Sequence, residues 1–483
     1  MEKSANRLPR NSRLNRRSRY AVVLACALAL ATGCGGGGGD STPVATPPVA
    51  PPPVATGLLT DAQLRTPVDA SSALVDDDTA TWFAQNAKII RSLTADDDFS
   101  DLVFLRESIE NKSLVMLGES SHGVREFSQA KIRLIKYLHE EQGFNVLAFE
   151  GGLFDCENAQ RRLESNQPAG ALRSCLFGVW QTAALAELFD YLVATQSTST
   201  PLRITGFDVQ ASGEAFALRA GATAALVGKV SPDYAEEVVG LEREFAQLTS
   251  AARAASTATD GAIGRLGAQL PVFRNAYLLL ADYLLANQSV ITADGEFSER
   301  DVLIAAQYAR TSPDYAQQIS ELFFVEQGGR ARDRGMAANL IALSTRIYPN
   351  ERIIGWAHNA HLRHQGTGFL PDANMGALVH AELASRLYTI GFYMYRGQHA
   401  FNDRSLQQVS APVNFSLESI FYSRRLSWLF LDIENATRDD AGAAWLTQST
   451  PTWAWGSWQV PLILHQEYDG VVIIDTVTPP DYL

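Results

Sequence analysis

Four segments of the chain combine a short apolar run with a side chain that can exchange protons. The runs at residues 114–118, 146–149, 204–207 and 353–357 are followed, in that order, by Glu119 and His122, by Glu150, by Asp208, and by His358 and His361. Short apolar runs separated by helical patterns are typical of parallel strands in an α/β sheet. Because ligands bind at the carboxyl ends of such strands, we expect these six side chains to share one cleft. The pattern indicates an enzyme.

The rest of the sequence predicts an α/β domain over residues 58–483, with a mainly parallel central sheet flanked by helices. An amphipathic helix over residues 124–141, closed by Gly143, joins the first two strands. Residues 214–345 are rich in alanine and other helix formers, which predicts a largely helical lobe between the third and fourth strands. Further apolar runs at residues 387–390, 428–431 and 471–474 should extend or edge the sheet.

The N-terminal residues predict export and a lipid anchor. Seven basic side chains precede an apolar run over residues 20–31, which is too short to span a bilayer and fits a signal peptide over residues 1–33. The stretch from Leu30 to Cys34 resembles a bacterial lipoprotein box, which implies cleavage before Cys34 and lipidation of that residue. An ordinary signal peptide with a chance cysteine is the alternative. We expect a location in the bacterial cell envelope, lipid-anchored and facing the periplasm or exterior.

Residues 34–57 carry glycines and then prolines without periodicity, and this composition predicts a tether. The whole chain has a net charge of −13, and removal of residues 1–33 would make the remainder more acidic. An acidic surface argues against nucleic acid and anionic lipid as partners. The expected partner is a small molecule, with membrane contact through the lipid anchor alone; the oligomeric state stays open.

Two cysteines remain in the predicted domain, Cys156 and Cys175. In an exported protein an even pair favours a disulfide. A catalytic cysteine is the weaker interpretation, because no histidine lies near either residue in sequence.

The hexapeptide from Gly118 to Gly123 is expected at a strand-to-helix turn, where free backbone N–H groups favour developing negative charge. His122 is the natural base for deprotonating water, and Glu119 or Glu150 could orient its ring. The competing interpretation is that a serine of this segment caps the helix and His122 is a turn residue. No segment has the G-x-S-x-G pattern, so a serine nucleophile is disfavoured.

His358 and His361 have a spacing that is also seen in metal sites, and with Glu119 and His122 they could hold zinc. They could equally bind substrate or polarise a carbonyl, and the H-E-x-x-H pattern is absent. We expect no cofactor, with a metal ion as the alternative. Arg332 is a candidate for a salt bridge with Asp333, or for holding an oxyanion or substrate carboxylate.

Five motifs, in this order along the chain, resemble the erythromycin esterase family. They lie at residues 118–127, 148–150, 206–208, 332–339 and 356–362. The resemblance implies an α/β fold with a helical lobe, and hydrolysis of an ester or lactone by activated water. It implies that His122 is the general base and that Glu119, Glu150, His358 and His361 complete the site. Substrate-binding roles are expected for Asp208, Arg332 and Lys131, the last because the family tends to have a basic residue there.

A binding protein is the second hypothesis. The first motif also resembles, more distantly, a group that includes proposed metalloproteases and a haem-binding lipoprotein. In that case the same histidines and carboxylates would hold a metal ion or haem, either for uptake or for a metal-dependent hydrolysis.

Overall fold

A nine-stranded sheet forms the centre of the protein in the computed structural model, which describes residues 75–94, 98–366, 374–424, 426–438 and 440–483. The predicted signal peptide, tether and Cys34 lie outside these residues. The strands are β1 (Lys88–Ile89), β2 (Leu114–Leu117), β3 (Val146–Gly152), β4 (Arg203–Asp208), β5 (Ile353–Trp356), β6 (Leu387–Ala400), β7 (Leu406–Gln408), β8 (Trp428–Asp432), β9 (Ser449–Ala454), β10 (Trp458–Ile463) and β11 (Gly470–Val477).

Helices separate most of these strands. They are α1 (Asp77–Asn86), α2 (Leu105–Ile109), α3 (Arg125–Glu140), α4 (Leu153–Glu164), α5 (Pro168–Cys175), α6 (Ala183–Thr195), α7 (Arg219–Gly228), α8 (Pro232–Arg253), α9 (Gly261–Ala286), α10 (Gln288–Ile291), α11 (Glu299–Ser320), α12 (Val325–Ala342), α13 (Asn359–Leu362), α14 (Met375–Leu383) and α15 (Leu417–Tyr422).

The strand order is β1-β8-β11-β6-β2-β5-β3-β4, and β7 pairs with β6. The six strands from β11 to β4 are mutually parallel, whereas β8 runs antiparallel to both of its neighbours. Trp356 of β5 is in register with Leu117 of β2 and with Phe149 of β3. This register brings the carboxyl ends of the three strands to one level, and the expected mainly parallel α/β sheet is confirmed.

The central strands are buried on both faces, which explains their continuous apolar runs. Along β2, Leu114 and Met116 point into one apolar core, while Val115 and Leu117 point into the other. The first core is shared with the helices between β4 and β5, including Phe245 of α8. The predicted helical lobe, α7 to α12, therefore packs as a continuation of the sheet's own core.

Two features of the described residues bear on the predictions about export. Cys156 of α4 and Cys175 of α5 form a disulfide, as the sequence predicted. Within the described ranges, no helix has the length and apolarity needed to cross a membrane.

The hairpin of β9 and β10, which pair antiparallel outside the central sheet, was not predicted from the sequence. Each strand carries a proline, Pro451 and Pro461, and these face each other in the ladder. Proline weakens the signal of a strand because it cannot donate a ladder hydrogen bond. The turn of this hairpin reaches the candidate site.

Candidate active site

The carboxyl ends of four neighbouring parallel strands carry the predicted acid–base side chains. Every one of these side chains is buried, at no more than 6% exposed: Glu119, His122, Glu150, Asp208, His358 and His361. Parallel strands in register deliver residues that are distant in the chain to one edge of the sheet. The structure thus brings the predicted residues together in two adjoining clusters, one around Glu119 and one around Arg332.

Glu119 is the centre of the first cluster. Its Oε1 accepts hydrogen bonds from Nδ1 of His122 at 2.6 Å and from Nε1 of Trp180 at 3.0 Å. Its Oε2 accepts from Nζ of Lys131 and, at 3.1 Å, from Nε1 of Trp356. Four N–H groups therefore fix this carboxylate, and its position in turn sets the tautomer of His122.

His122 uses Nδ1 for Glu119, so Nε2 is the nitrogen that can act as a base. The described residues show no hydrogen bond to Nε2. The imidazole ring is enclosed by aromatic rings, with centroids at 4.7 Å for Trp180, 5.4 Å for Trp455 and 5.0 Å for His358. This enclosure holds the ring in one orientation.

Lys131, from α3, is fully buried beneath the site. Its ammonium lies 3.7 Å from the centre of the Trp356 ring and pairs with Glu119. Burial lowers the pKa of Lys131 to about 8, although the charge of Glu119 opposes the shift. Lys131 therefore balances the charge of the carboxylate that orients His122.

Arg332, from α12, is the centre of the second cluster. Its Nη2 donates to Oδ2 of Asp208 at 2.6 Å and to Oε1 of Glu150 at 2.7 Å, and its Nη1 lies 2.9 Å from Nε2 of His361. Burial alone would raise the pKa of Glu150, but His361 and Arg332 hold it well below its ordinary value. Asp208 and Glu150, rather than the neighbouring Asp333, are the ion-pair partners of this arginine.

Asp333 instead faces His361, and sequence reasoning did not assign it to the site. Oδ1 of Asp333 lies 2.6 Å from Nδ1 of His361, and Oδ2 accepts from the backbone N–H of Met375. Burial alone would lower the pKa of His361, but Asp333 and Glu150 raise it above the ordinary value.

His358 has a different environment from His361. Its Nε2 donates to the carbonyl of Ser120 at 3.1 Å, its Nδ1 accepts from the N–H of Ala360 at 3.1 Å, and its own backbone N–H donates to Oε2 of Glu150. Burial, followed by the charge of His122, holds the pKa of His358 well below its ordinary value. Both ring nitrogens of this neutral imidazole are engaged.

A serine–histidine contact next to the first cluster was not anticipated. Oγ of Ser121 lies 3.0 Å from Nδ1 of His399, at the end of β6. Both side chains are fully buried, and among the described residues no carboxylate contacts His399. The contact ties the first loop to β6.

The arrangement of the candidate ligands is relevant to the alternative in which the site holds a metal ion. Among the described residues, no three histidine, cysteine, aspartate or glutamate side chains converge as a metal-binding group. The carboxylates Glu119, Glu150 and Asp208 are paired with Lys131 and Arg332 instead.

The sequence of this chain is similar to those of known proteins. A sequence model of the erythromycin esterase family matches residues 139–477. The putative hydrolase YbfO of Bacillus subtilis is 28% identical over 424 residues, covering 82% of this chain and 91% of that protein.

Two solved structures have the same fold. A Bacillus cereus protein superimposes with a TM-score of 0.68 at 20% identity, over 84% of this chain and 98% of that one. A mutant of the erythromycin esterase EreC in its open conformation superimposes with a TM-score of 0.58 at 18% identity, over 80% of this chain and 96% of that one.

Proposed function

Because the chain belongs to the erythromycin esterase family, we propose that it is a hydrolase that cleaves an ester or lactone with base-activated water. Family membership supports hydrolysis in general; the bond and the mechanism are the proposal. The observation that carries it is the pairing of Glu119 with Nδ1 of His122, which leaves Nε2 to take a proton.

In this mechanism Nε2 of His122 removes a proton from water as the water oxygen attacks the carbonyl carbon. The carboxylate of Glu119 stabilises the imidazolium that forms and fixes its orientation. Lys131 and the two indole N–H groups hold Glu119 in place, so little reorganisation accompanies the charge transfer.

Collapse of the tetrahedral intermediate breaks the bond to the leaving oxygen. The imidazolium of His122 donates the proton on its Nε2 to the departing alkoxide. Arg332 lies 2.9 Å from His361 and supplies positive charge next to the developing oxyanion. The acid and the alcohol leave, and His122 is neutral again. His358 and His361 line the site in this scheme without exchanging protons, because both ring nitrogens of each are engaged.

Hydrolysis in ¹⁸O-labelled water tests the proposal. A panel of aryl esters and macrocyclic lactones should give carboxylates with one labelled oxygen, single-turnover kinetics without an acyl-enzyme burst, and no loss of rate in chelator. His122→Ala should lose most of its activity with an unchanged circular dichroism spectrum. A burst of alcohol release abolished by Ser120→Ala or Ser121→Ala would replace activated water with a serine nucleophile.

Elemental analysis and the absorbance spectrum of the purified protein test the binding-protein alternative. A stoichiometric metal or a haem band, together with no turnover on the panel, would favour that alternative and overturn the hydrolase proposal.

We also propose that lipid on Cys34 anchors the protein in the bacterial cell envelope, facing the periplasm or exterior. The support is the lipoprotein-like box that ends at Cys34 and the glycine- and proline-rich stretch after it. Cys34→Ala should move the protein from the membrane fraction to the soluble fraction when cells are broken without detergent. Continued sedimentation of the variant with membranes would contradict the anchor.

A further inference from the structure

The turn that joins β9 to β10 has an unusual backbone. Trp455 and Gly456 both have left-handed φ values, of 53° and 61°, and the N–H of Ser457 donates to the carbonyl of Ala454 at 3.2 Å. Glycine, asparagine or aspartate usually occupies both central positions of such a turn. A bulky aromatic residue is an outlier there, and such outliers persist where surrounding structure enforces them, often at functional sites.

The strained residue lies directly on two histidines of the candidate active site. The Trp455 ring stacks on His358 with a centroid distance of 4.5 Å and an interplanar angle of 25°. It meets His122 edge to face, at 5.4 Å and 83°. Its indole is 7% exposed, so it closes this side of the imidazole pair against solvent.

The backbone of Trp455 is tied to the same place. Its N–H donates to the carbonyl oxygen of Ser120 at 2.9 Å, and that oxygen also accepts from Nε2 of His358. One carbonyl thus joins the hairpin, the loop after β2 and the loop after β5. The left-handed turn is what allows this N–H and the indole ring to reach the site together.

We propose that Trp455 is a positioning residue of the active site, whose indole holds His122 in its Glu119-bound orientation and shields His358 from solvent. This inference rests on the proposed base role of His122, and it goes further because it assigns a role to a hairpin outside the central sheet. Trp455 acts through the two imidazoles, without itself exchanging a proton.

The test replaces the ring while it keeps the turn. Trp455→Asn places a residue that tolerates the left-handed conformation, and Trp455→Phe retains an aromatic ring. Trp453→Asn, in β9 of the same hairpin, is the matched control for loss of an indole. The backbone N–H of Trp453 donates to Oε1 of Glu418, and the substitution preserves that donor.

Kinetics on an aryl ester give the first measurement. Trp455→Asn should lower kcat roughly 10- to 100-fold with little change in KM, because a misoriented base affects the chemical step. Trp455→Phe should recover most of the rate, and Trp453→Asn should match the parent protein. An increase in KM alone, or no change in kcat for a folded Trp455→Asn protein, would overturn the proposal.

Ring ¹⁵N NMR of histidine-labelled protein gives a second measurement, which does not depend on turnover. In the parent, His358 should stay neutral at pH 6.5, because its pKa is held well below that ordinary value. In Trp455→Asn, solvent reaches the ring of His358. That ring should then be partly protonated at pH 6.5, and the ring ¹⁵N signals of His122 should shift. Histidine spectra identical to the parent would overturn the positioning role, even if the protein proves not to be an esterase.

Discussion

Nδ1 of His122 lies 2.6 Å from Oε1 of Glu119, which stands three residues earlier in the same loop. The glutamate is in turn held by Lys131, so the base, its orienting acid and a balancing cation form one buried chain. In this chain the carboxylate stabilises the imidazolium that forms when the neutral imidazole accepts a proton.

Removal of either member of the base pair should reduce ester hydrolysis. We expect His122→Ala to lose roughly 10²- to 10⁴-fold in kcat/KM, the usual contribution of a general base. Glu119→Gln should lose less than His122→Ala, because the imidazole remains but its partner is neutral. The losses should not multiply in the double variant, since the two residues act as a unit. His465→Ala, at a partly buried position that contacts the carbonyl of Leu446, is the control. Near-normal turnover by His122→Ala would rule out this base.

The six acid–base residues could be located from the sequence because each follows an apolar run, and parallel strands align their carboxyl ends. Asp333 could not be assigned in the same way. It stands next to Arg332 in sequence, but adjacent residues on a helix point to different sides, so the two contact different partners. Trp180 and Trp455 come from a short 3₁₀ turn and an irregular hairpin, where no periodic pattern predicts which ring reaches the site.

Lys131 offers a test of charge balance. Lys131→Met keeps the side-chain volume but leaves Glu119 without its cation, so the imidazolium form of His122 gains stabilisation. The acid limb of the kcat/KM pH profile should therefore move to higher pH. Because the pKa of Lys131 is about 8, the parent loses this charge above that pH, and the two profiles should converge there. Profiles that differ by a constant factor from pH 5 to 10 would contradict the charge-balance role.

Arg332 balances the negative charge of two buried carboxylates, so its replacement should destabilise the folded protein. Breaking a buried ion pair by removing one partner typically costs about 3–5 kcal/mol, because a charge is left unpaired. We expect Arg332→Met to lower the free energy of unfolding by about that amount, as measured by urea denaturation. Addition of Asp208→Asn should restore part of the stability, since it removes one of the buried carboxylates that lost its partner. A double variant less stable than Arg332→Met would argue against charge compensation.

The disulfide between Cys156 and Cys175 closes a loop with a sequence separation of 19. In the chain-entropy model a loop of this size stabilises the folded state by about 3 kcal/mol. The double variant with alanine at both positions should lose about that much in the free energy of unfolding, and thiol labelling of the unfolded, unreduced parent should detect neither cysteine. Two labelled thiols from this pair, or an unchanged unfolding free energy, would contradict the prediction.

Glu418 is a titratable residue that contacts the hairpin carrying Trp455. It is fully buried on α15, its Oε1 accepts from the N–H of Trp453, and burial raises its pKa to about 7. Between its ordinary value of 4.5 and about 7, the folded protein binds more protons at this group than the unfolded chain. The stabilisation that Glu418 contributes is therefore fully present below about pH 4.5, decreases as the pH rises to about 7, and is lost above that pH.

Glu418→Gln removes this titration while it keeps the carbonyl that accepts from Trp453. Its free energy of unfolding should exceed that of the parent by a margin that grows from about pH 4.5 to 7 and is constant at higher pH, with a slope of at most about 1.4 kcal/mol per pH unit for one proton. The exposed Glu244→Gln is the control and should show no such trend. A margin that is constant across pH, or that shrinks as pH rises, would show that Glu418 is ionised in the folded protein throughout this range.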